Sequence, residues 1–92
     1  MRLTRKGFEA WLKDQPSEKI VGTPGYNMLC PLAAYLQDQG DLDASVSYVA
    51  YWVNEKSHDS PAWARRFTKA ADATGIEPIT ARRALELLGA KP

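Results

Sequence analysis

The stretch CPLAAYLQDQG, residues 30–40, carries the clearest helix start and stop in the chain. Pro31 suits a first helical position, where its missing N–H would have had no partner and its φ is already helical. Gly40 suits the left-handed residue just beyond a helix end. Only about two turns fit between them. Leu32, Tyr35 and Leu36 fall at the i, i+3, i+4 spacing of one buried face. A helix this short does not stand alone in water. The fold must therefore be a set of short elements that cover one another.

The flanking sequence reads the same way. Thr4 can cap a first helix whose stripe is Phe8, Trp11 and Leu12, extended backwards by Gly7 and Leu3. Pro16 ends it near Asp14, because proline disfavours helical geometry in the residue before it. In SEKIVGTPGYN, Ile20 and Val21 suggest a very short extended piece, and the Gly/Pro cluster after them a loop. DLDASVSYVAYWVNEK is ambiguous. As a helix it aligns Val46, Val49, Ala50 and Val53. As a strand it places Val46, Tyr48, Ala50 and Trp52 on one face and Val49, Tyr51 and Val53 on the other. Its β-branched and aromatic content favours strand. NEKSHDSP reads as a polar loop. Ser60 and Pro61 then suit the cap and first residue of a helix facing inward through Ala64, Phe67 and Ala71, with Trp63 beside them and Gly75 at its end. A last helix spans about Thr80 to Leu88, with Ala81, Ala84, Leu85 and Leu88 inward. The expected fold is α+β and mostly helical: about four helices and a short β element around 20–21 and 45–53, in one domain over 1–92.

Composition narrows the function classes. Nine aromatics provide large side chains to bury, so general disorder is not expected. Net charge is +1, but residues 1–60 carry 6 Lys/Arg against 8 Asp/Glu, and residues 61–92 carry 6 against 3. That tail is far less basic than a usual nucleic-acid footprint. No apolar run approaches the roughly 18 residues of a membrane span, and Glu9 and Lys13 interrupt any signal-peptide core. One cysteine excludes an internal disulfide, so a cytoplasmic, membrane-free protein is expected.

The segment RFTKAADATGIEPITARRALELLG, residues 66–89, admits three readings. The first is a helix-turn-helix over residues 69–87. Ala71 would be the small residue, Gly75 the turn and Ile76 the plug between helices. Thr80, Arg82, Arg83 and Lys69 would face DNA, since an arginine fork matches two acceptors of guanine. Pro78 and the near-neutral total charge oppose it. The second is a calcium loop counted from Asp72. Its sixth position is Glu77 rather than glycine and its twelfth is Arg83 rather than glutamate, so metal is rejected. The third is structural: Thr80 caps the last helix, Phe67 and Ile79 are buried, and the arginines are solvated.

Other candidates are few. Cys30 precedes Pro31, and a thiol at a helix N-terminus can have a lowered pKa, so it is a possible reactive thiol. A small buried hydrophobe is the commoner role. A nucleophile also needs a base, and the only histidine, His58, has no sequence link to it. Asp38, Asp41 and Asp43 around Gly40 fit a turn, and VGTPG lacks the lysine and spacing of a phosphate loop. Tyr48, Tyr51 and Trp52, with Arg65 and Arg66, suit a protein interface if one face of 45–53 stays exposed, because Tyr and Trp contribute large areas with few torsions to freeze.

The order FEAWLK, IVG, CPLAAYL and PAWARRFTKAAD…ITARRALELL resembles a set of small prokaryotic proteins found in bacteria and their mobile elements. The set carries no assigned activity and so implies no catalytic residues. It implies that Cys30, Pro31, Trp63, Phe67, Ile79, Thr80 and Ala81 belong to one folded unit. By size and class, a phage-encoded inhibitor of host defence is one such role. The reading that follows is a non-enzymatic binding protein, without cofactor or metal, that regulates or inhibits a protein partner. The alternative is a DNA-binding regulator.

Overall fold

The hydroxyl of Thr4 accepts a hydrogen bond from the Gly7 N–H and opens the first helix, α1 (Arg5–Asp14). The computed structural model describes residues 3–75 and 77–89. In chain order, α1 is followed by β1 (Ile20–Gly22), α2 (Pro31–Asp38), β2 (Ser45–Val46), β3 (Ala50–Val53), β4 (Lys56–Asp59), α3 (Ala62–Ala73), β5 (Ile79–Thr80) and α4 (Ala81–Leu88). Four helices with a few short antiparallel strands make a small α+β fold. Ile76, the plug of the helix-turn-helix reading, lies outside the described residues.

Phe8 has no exposed surface. Its ring meets Trp11 at 6.2 Å, Tyr35 of α2 at 5.7 Å, and Trp63 and Phe67 of α3 at 5.9 and 5.1 Å. The Tyr35 and Phe67 contacts are edge-to-face, the arrangement that ring quadrupoles favour. Trp11 adds a polar tie: its indole N–H donates to Asp38 Oδ2 at 2.7 Å, which joins α1 to the end of α2. α4 closes the helical layer with Ala81, Ala84 and Leu88, small enough at two of three positions for close approach. The Arg5 guanidinium donates to the Leu88 carbonyl at 3.1 Å, one of the carbonyls that a helix end leaves without a partner.

Each half of the chain contains a helix, an extended loop and a helix, and backbone pairing joins the two loops. β1 and β5 are antiparallel, with Ile20 opposite Thr80 and Gly22 opposite Ile79. The pairing continues into the start of α4: the Ala81 N–H donates to Lys19 O at 2.9 Å and the Arg82 N–H to Ser17 O at 3.0 Å. The Arg83 N–H donates to the Thr80 hydroxyl at 3.1 Å. The first three N–H groups of α4, which no helix can satisfy internally, are thus all paired. Gly22 permits the approach on the other side. A Cβ there would lie 2.6 Å from Pro31 N, 2.7 Å from Leu29 O and 2.8 Å from the Cys30 carbonyl carbon, all backbone atoms.

Residues 45–53 do not form one strand. Ser47 breaks it: its N–H donates to Ala50 O at 2.8 Å and its hydroxyl accepts from the Ala50 N–H at 3.2 Å, closing a turn through Tyr48 and Val49. β2, β3 and β4 follow as a three-stranded antiparallel sheet in that order. The polar stretch read as a loop supplies β4. Asn54 and Glu55 take φ values of 52° and 64°, the left-handed pair that turns a two-residue hairpin with the twist of its strands. Asp41 holds that turn by accepting from the Asn54 N–H at 2.6 Å, a structural use of the carboxylates around Gly40. Ser60 is not the cap of α3. Pro61 occupies that position without a side-chain bond, and the buried Ser60 hydroxyl donates to Ser47 O at 3.2 Å.

Truncating Phe8→Ala removes the ring shared by three helices and should cost about 3–5 kcal/mol. Against a total of about 5–15 kcal/mol for a folded protein, urea titration should show a large loss of midpoint or no cooperative transition. Gly22→Ala forces backbone apart and should cost at least about 1–3 kcal/mol in the same assay. An unchanged midpoint would show that the β1 loop can move away from α2.

Candidate functional site

The loop between β1 and α2 and the turn between β2 and β3 are held side by side. The Val46 N–H donates to Asn27 O at 2.8 Å. Gln37, on α2, donates to both Met28 O at 2.9 Å and Ala44 O at 3.0 Å, so one amide ties the β1–α2 loop to the residue that leads into β2. The pair of loops leans on α3 and encloses a cleft of about 100 Å³. Tyr26 and Tyr48 form its sides, Cys30 and Phe67 lie deeper, and Thr68 and Asp72 of α3 complete it. Tyr26 and Tyr48 are each half exposed. The same two loops expose Met28, Leu29 and Val49. Five exposed apolar side chains on two neighbouring loops is the kind of surface that solvent alone does not favour.

Cys30 occupies the N-cap position of α2, as its place before Pro31 suggests. Its thiol is nevertheless pushed up from the ordinary value. Burial is the largest cause, and it outweighs the opposing pull of the Ala33 and Leu32 N–H groups; the Asp72 carboxylate adds to the rise. The Sγ atom lies 3.9 Å from both Asn27 O and Val46 O, which it can reach as a weak donor. His58 lies on β4, stacked on Tyr51 at 5.0 Å, and does not line the cleft. The lowered-pKa reading of Cys30 is therefore corrected: desolvation exceeds the helix-end field.

The aromatic face read from 48–52 divides. Tyr51 is buried, because the pleat of β3 turns it inward with Val53 and pairs it with Val46 on β2. It is not a partner-facing residue. Trp52 is exposed at 38%, but on the opposite side of the sheet, in an open depression with Asp41, Asp43, Asn54 and Glu55. Tyr48 alone of the three lies at the cleft. Arg65 does not line the cleft: its Nε donates to Ser60 O at 3.0 Å, and the Ser60 hydroxyl in turn donates to Ser47 O. Helical spacing puts Arg66 with Trp63 and Ala70 instead.

The residues of the DNA reading are also dispersed. Thr80 uses its hydroxyl as a cap and its backbone as part of β5. Arg82 pairs with Glu18 at 3.2 Å and Arg83 with Glu86 at 3.0 Å. A recognition helix presents its N-terminal residues to base edges. Here that end of α4 is stitched to residues 17–19 of the chain itself. The strand Ile79–Thr80 stands between α3 and α4, where a helix-turn-helix has only a three- or four-residue turn. Lys69 lies elsewhere, bordering Tyr48 and Asp72.

Sequence reasoning missed Tyr26 and Val49. The signal was present in GYNMLCP, where Tyr26, Met28 and Leu29 follow a Gly/Pro turn with no helical or alternating period to bury them. Among the described residues, no group of three or more His, Cys, Asp or Glu could hold a metal ion, and no helix is long and apolar enough to cross a membrane. No protein-family model, curated protein or solved structure matches the chain.

With its thiol raised by burial, Cys30 should react with iodoacetamide near neutral pH more slowly in the folded protein than in urea-unfolded chain. The rate should climb only above the ordinary thiol range. The unfolded chain ionises first as pH rises, so this group's contribution to stability is full below the unfolded thiol's pKa and is lost as pH rises through the folded one. Fast native-state labelling at neutral pH would overturn the burial argument.

Proposed function

We propose that this chain is a non-catalytic binding protein that regulates or inhibits a protein partner, docking it on the cleft between Tyr26 and Tyr48. The observation that supports this reading is the pair of half-exposed tyrosines, Tyr26 and Tyr48, lining one cleft, with Met28, Leu29 and Val49 also exposed on the loops that carry them. Tyrosine has few torsions to freeze, so the area it contributes to an interface is offset only a little by ordering. The cleft lining also argues for binding rather than turnover. It offers one thiol that burial keeps protonated and one carboxylate, with no histidine to act as base.

The partner type is a protein rather than duplex DNA on this reading. Arg82 and Arg83 already face carboxylates, and releasing them for phosphates would cost those pairs. The cations nearest the cleft are few, and the chain's net charge is only +1. Tight duplex binding without a broad basic surface runs against the dependence of affinity on phosphate contacts.

The test places a photo-crosslinking amino acid at position 48, and at position 82 as a control, in cells that produce the protein. Discrete protein adducts at 48 and not at 82 are expected. In parallel, fluorescence anisotropy with mixed-sequence duplex DNA at low salt should show no binding that Arg82→Glu plus Arg83→Glu removes. Salt-sensitive binding lost in that variant would restore the DNA reading and displace this one.

A further inference from the structure

Trp52 is the one tryptophan of the three that stands exposed. The register of the sheet explains why. Cross-strand partners share a face, so Trp52 lies beside Ser45 of β2 and Ser57 of β4, with Ala50 two residues before it on its own strand. None of these is large enough to cover an indole. The ring instead borders an open depression of about 460 Å³, completed by Asp41, Asp43, Asn54 and Glu55. Three of those four residues are acidic and none is basic. Asp59, opposite Ala50, adds one more acidic residue to the same face. The charge of the whole chain is segregated to match. Residues 38–59 carry five Asp/Glu against Lys56 alone, and the rest of the chain carries six against eleven Lys/Arg.

One carboxylate sets the shape of the depression. Asp41 accepts from the Asp43 N–H at 3.1 Å through Oδ1 and from the Asn54 N–H at 2.6 Å through Oδ2. The loop after α2 and the β3–β4 turn are thereby joined. Asp43 and Glu55 are exposed. The ion pairs among the described residues use Glu9, Glu18 and Glu86 and do not neutralise Asp43 or Glu55.

We propose that this face docks a protein segment through an arginine side chain, whose guanidinium stacks on Trp52 and forks to the Asp43 and Glu55 carboxylates. This surface is separate from the cleft between Tyr26 and Tyr48, and the proposal does not rest on that reading. Charge complementarity selects a cation: an acidic segment would meet three carboxylates with no cation among them, and like charges across an interface are costly. The aromatic selects the kind of cation. An indole face attracts positive charge through its quadrupole. A guanidinium is planar and weakly hydrated, so it stacks on the ring and still offers donors at its edge, whereas an ammonium is a compact, strongly hydrated point charge. A metal ion needs carboxylates that converge on one point. Among the described residues no group of three or more His, Cys, Asp or Glu could hold one. Carboxylates spread around a ring suit a wide, delocalised cation instead.

The experiment selects a displayed library of random linear peptides on the folded protein and discards those that a Trp52→Ala variant also retains. Synthetic copies of the remainder are measured by fluorescence anisotropy. Trp52→Ala, the pair Asp43→Lys plus Glu55→Lys, and Tyr48→Ala are each checked first by circular dichroism and urea titration. All four positions are exposed, so unchanged unfolding midpoints are expected. The proposal requires peptides that carry arginine. Replacing that arginine by citrulline, which keeps the shape and removes the charge, should weaken binding at least about tenfold, the scale of an interface anchor. Lysine in its place should weaken it several-fold. The double charge reversal should also weaken it at least about tenfold, with a smaller effect at high salt. Tyr48→Ala should change nothing. Peptides that bind as well with citrulline would overturn the cationic occupant, and so would indifference to the double reversal. These two arms hold even if Trp52→Ala fails to fold. No Trp52-dependent peptide, or peptides lost equally in Tyr48→Ala, would overturn this face as a separate docking surface.

Discussion

The ring of Phe8 is where three helices meet, and the cleft depends on that meeting. Phe8 touches Tyr35 on α2 and both Trp63 and Phe67 on α3. α2 carries Cys30 at its start, and α3 carries Phe67, Thr68 and Asp72. The helices beneath the cleft are therefore positioned by one buried aromatic. Phe67 serves both purposes at once: one side of the residue packs on Phe8 and another lines the cleft. A core of this kind is directional, because edge-to-face contacts fix angles as well as distances. In a chain whose helices are two or three turns long, that directionality replaces the alignment that longer helices obtain from extended packing.

The second organising device is made of backbone. β1 and β5 pair, and the N-terminus of α4 continues the pairing into residues 17–19. This satisfies the helix-end donors without any long-range side chain. It also determines which surfaces are left for partners. The start of α4 is used up internally, and its arginines pair with Glu18 and Glu86. A surface that stays open lies on the far loops, where Asn27 and Val46 hold two turns together beside α3. Calcium-loop numbering counted from Asp72 places Ile79 in an extended position and Thr80 after it, and the chain has that local geometry while lacking the ligands.

Parts of the site were legible along the chain. Tyr48 could be picked out because an aromatic-rich segment is a local feature. Its place beside Tyr26 was not legible. Tyr51 and Trp52 are neighbours in sequence with similar chemistry, yet the pleat sends one into the core and the other to solvent on the opposite side of the sheet. The strand reading already set the two on opposite faces; which face would be buried was the part that only the packed sheet decided. Ser47 bonds to Ala50 and ends β2, so the period-two count that would have run through 45–53 restarts at Ala50. Tyr26 was hidden for a different reason: a tyrosine in a turn carries no periodicity, and only the position of the neighbouring hairpin makes it a wall.

The sequence by itself determined the inward faces and, apart from the start of α3, the helix ends. Thr4, Pro31, Thr80 and Gly89 act within one turn of themselves, and the 3.6-residue period of apolar side chains depends only on the helix that carries them. Capping and amphipathicity are local interactions, so they can be read locally. Tertiary structure alone decided the pairing of β1 with β5, the sheet of β2, β3 and β4, and the state of Cys30. β-propensity can mark a segment as extended, as at 20–21 and 45–53, but it does not name the strand that segment pairs with. The thiol's ionisation was a contest between a local field, legible from Pro31, and desolvation by residues far along the chain, which is not. Burial prevailed because the Asn27 loop and the β2–β3 turn both close over Sγ, and no property of residues 28–33 could have announced that.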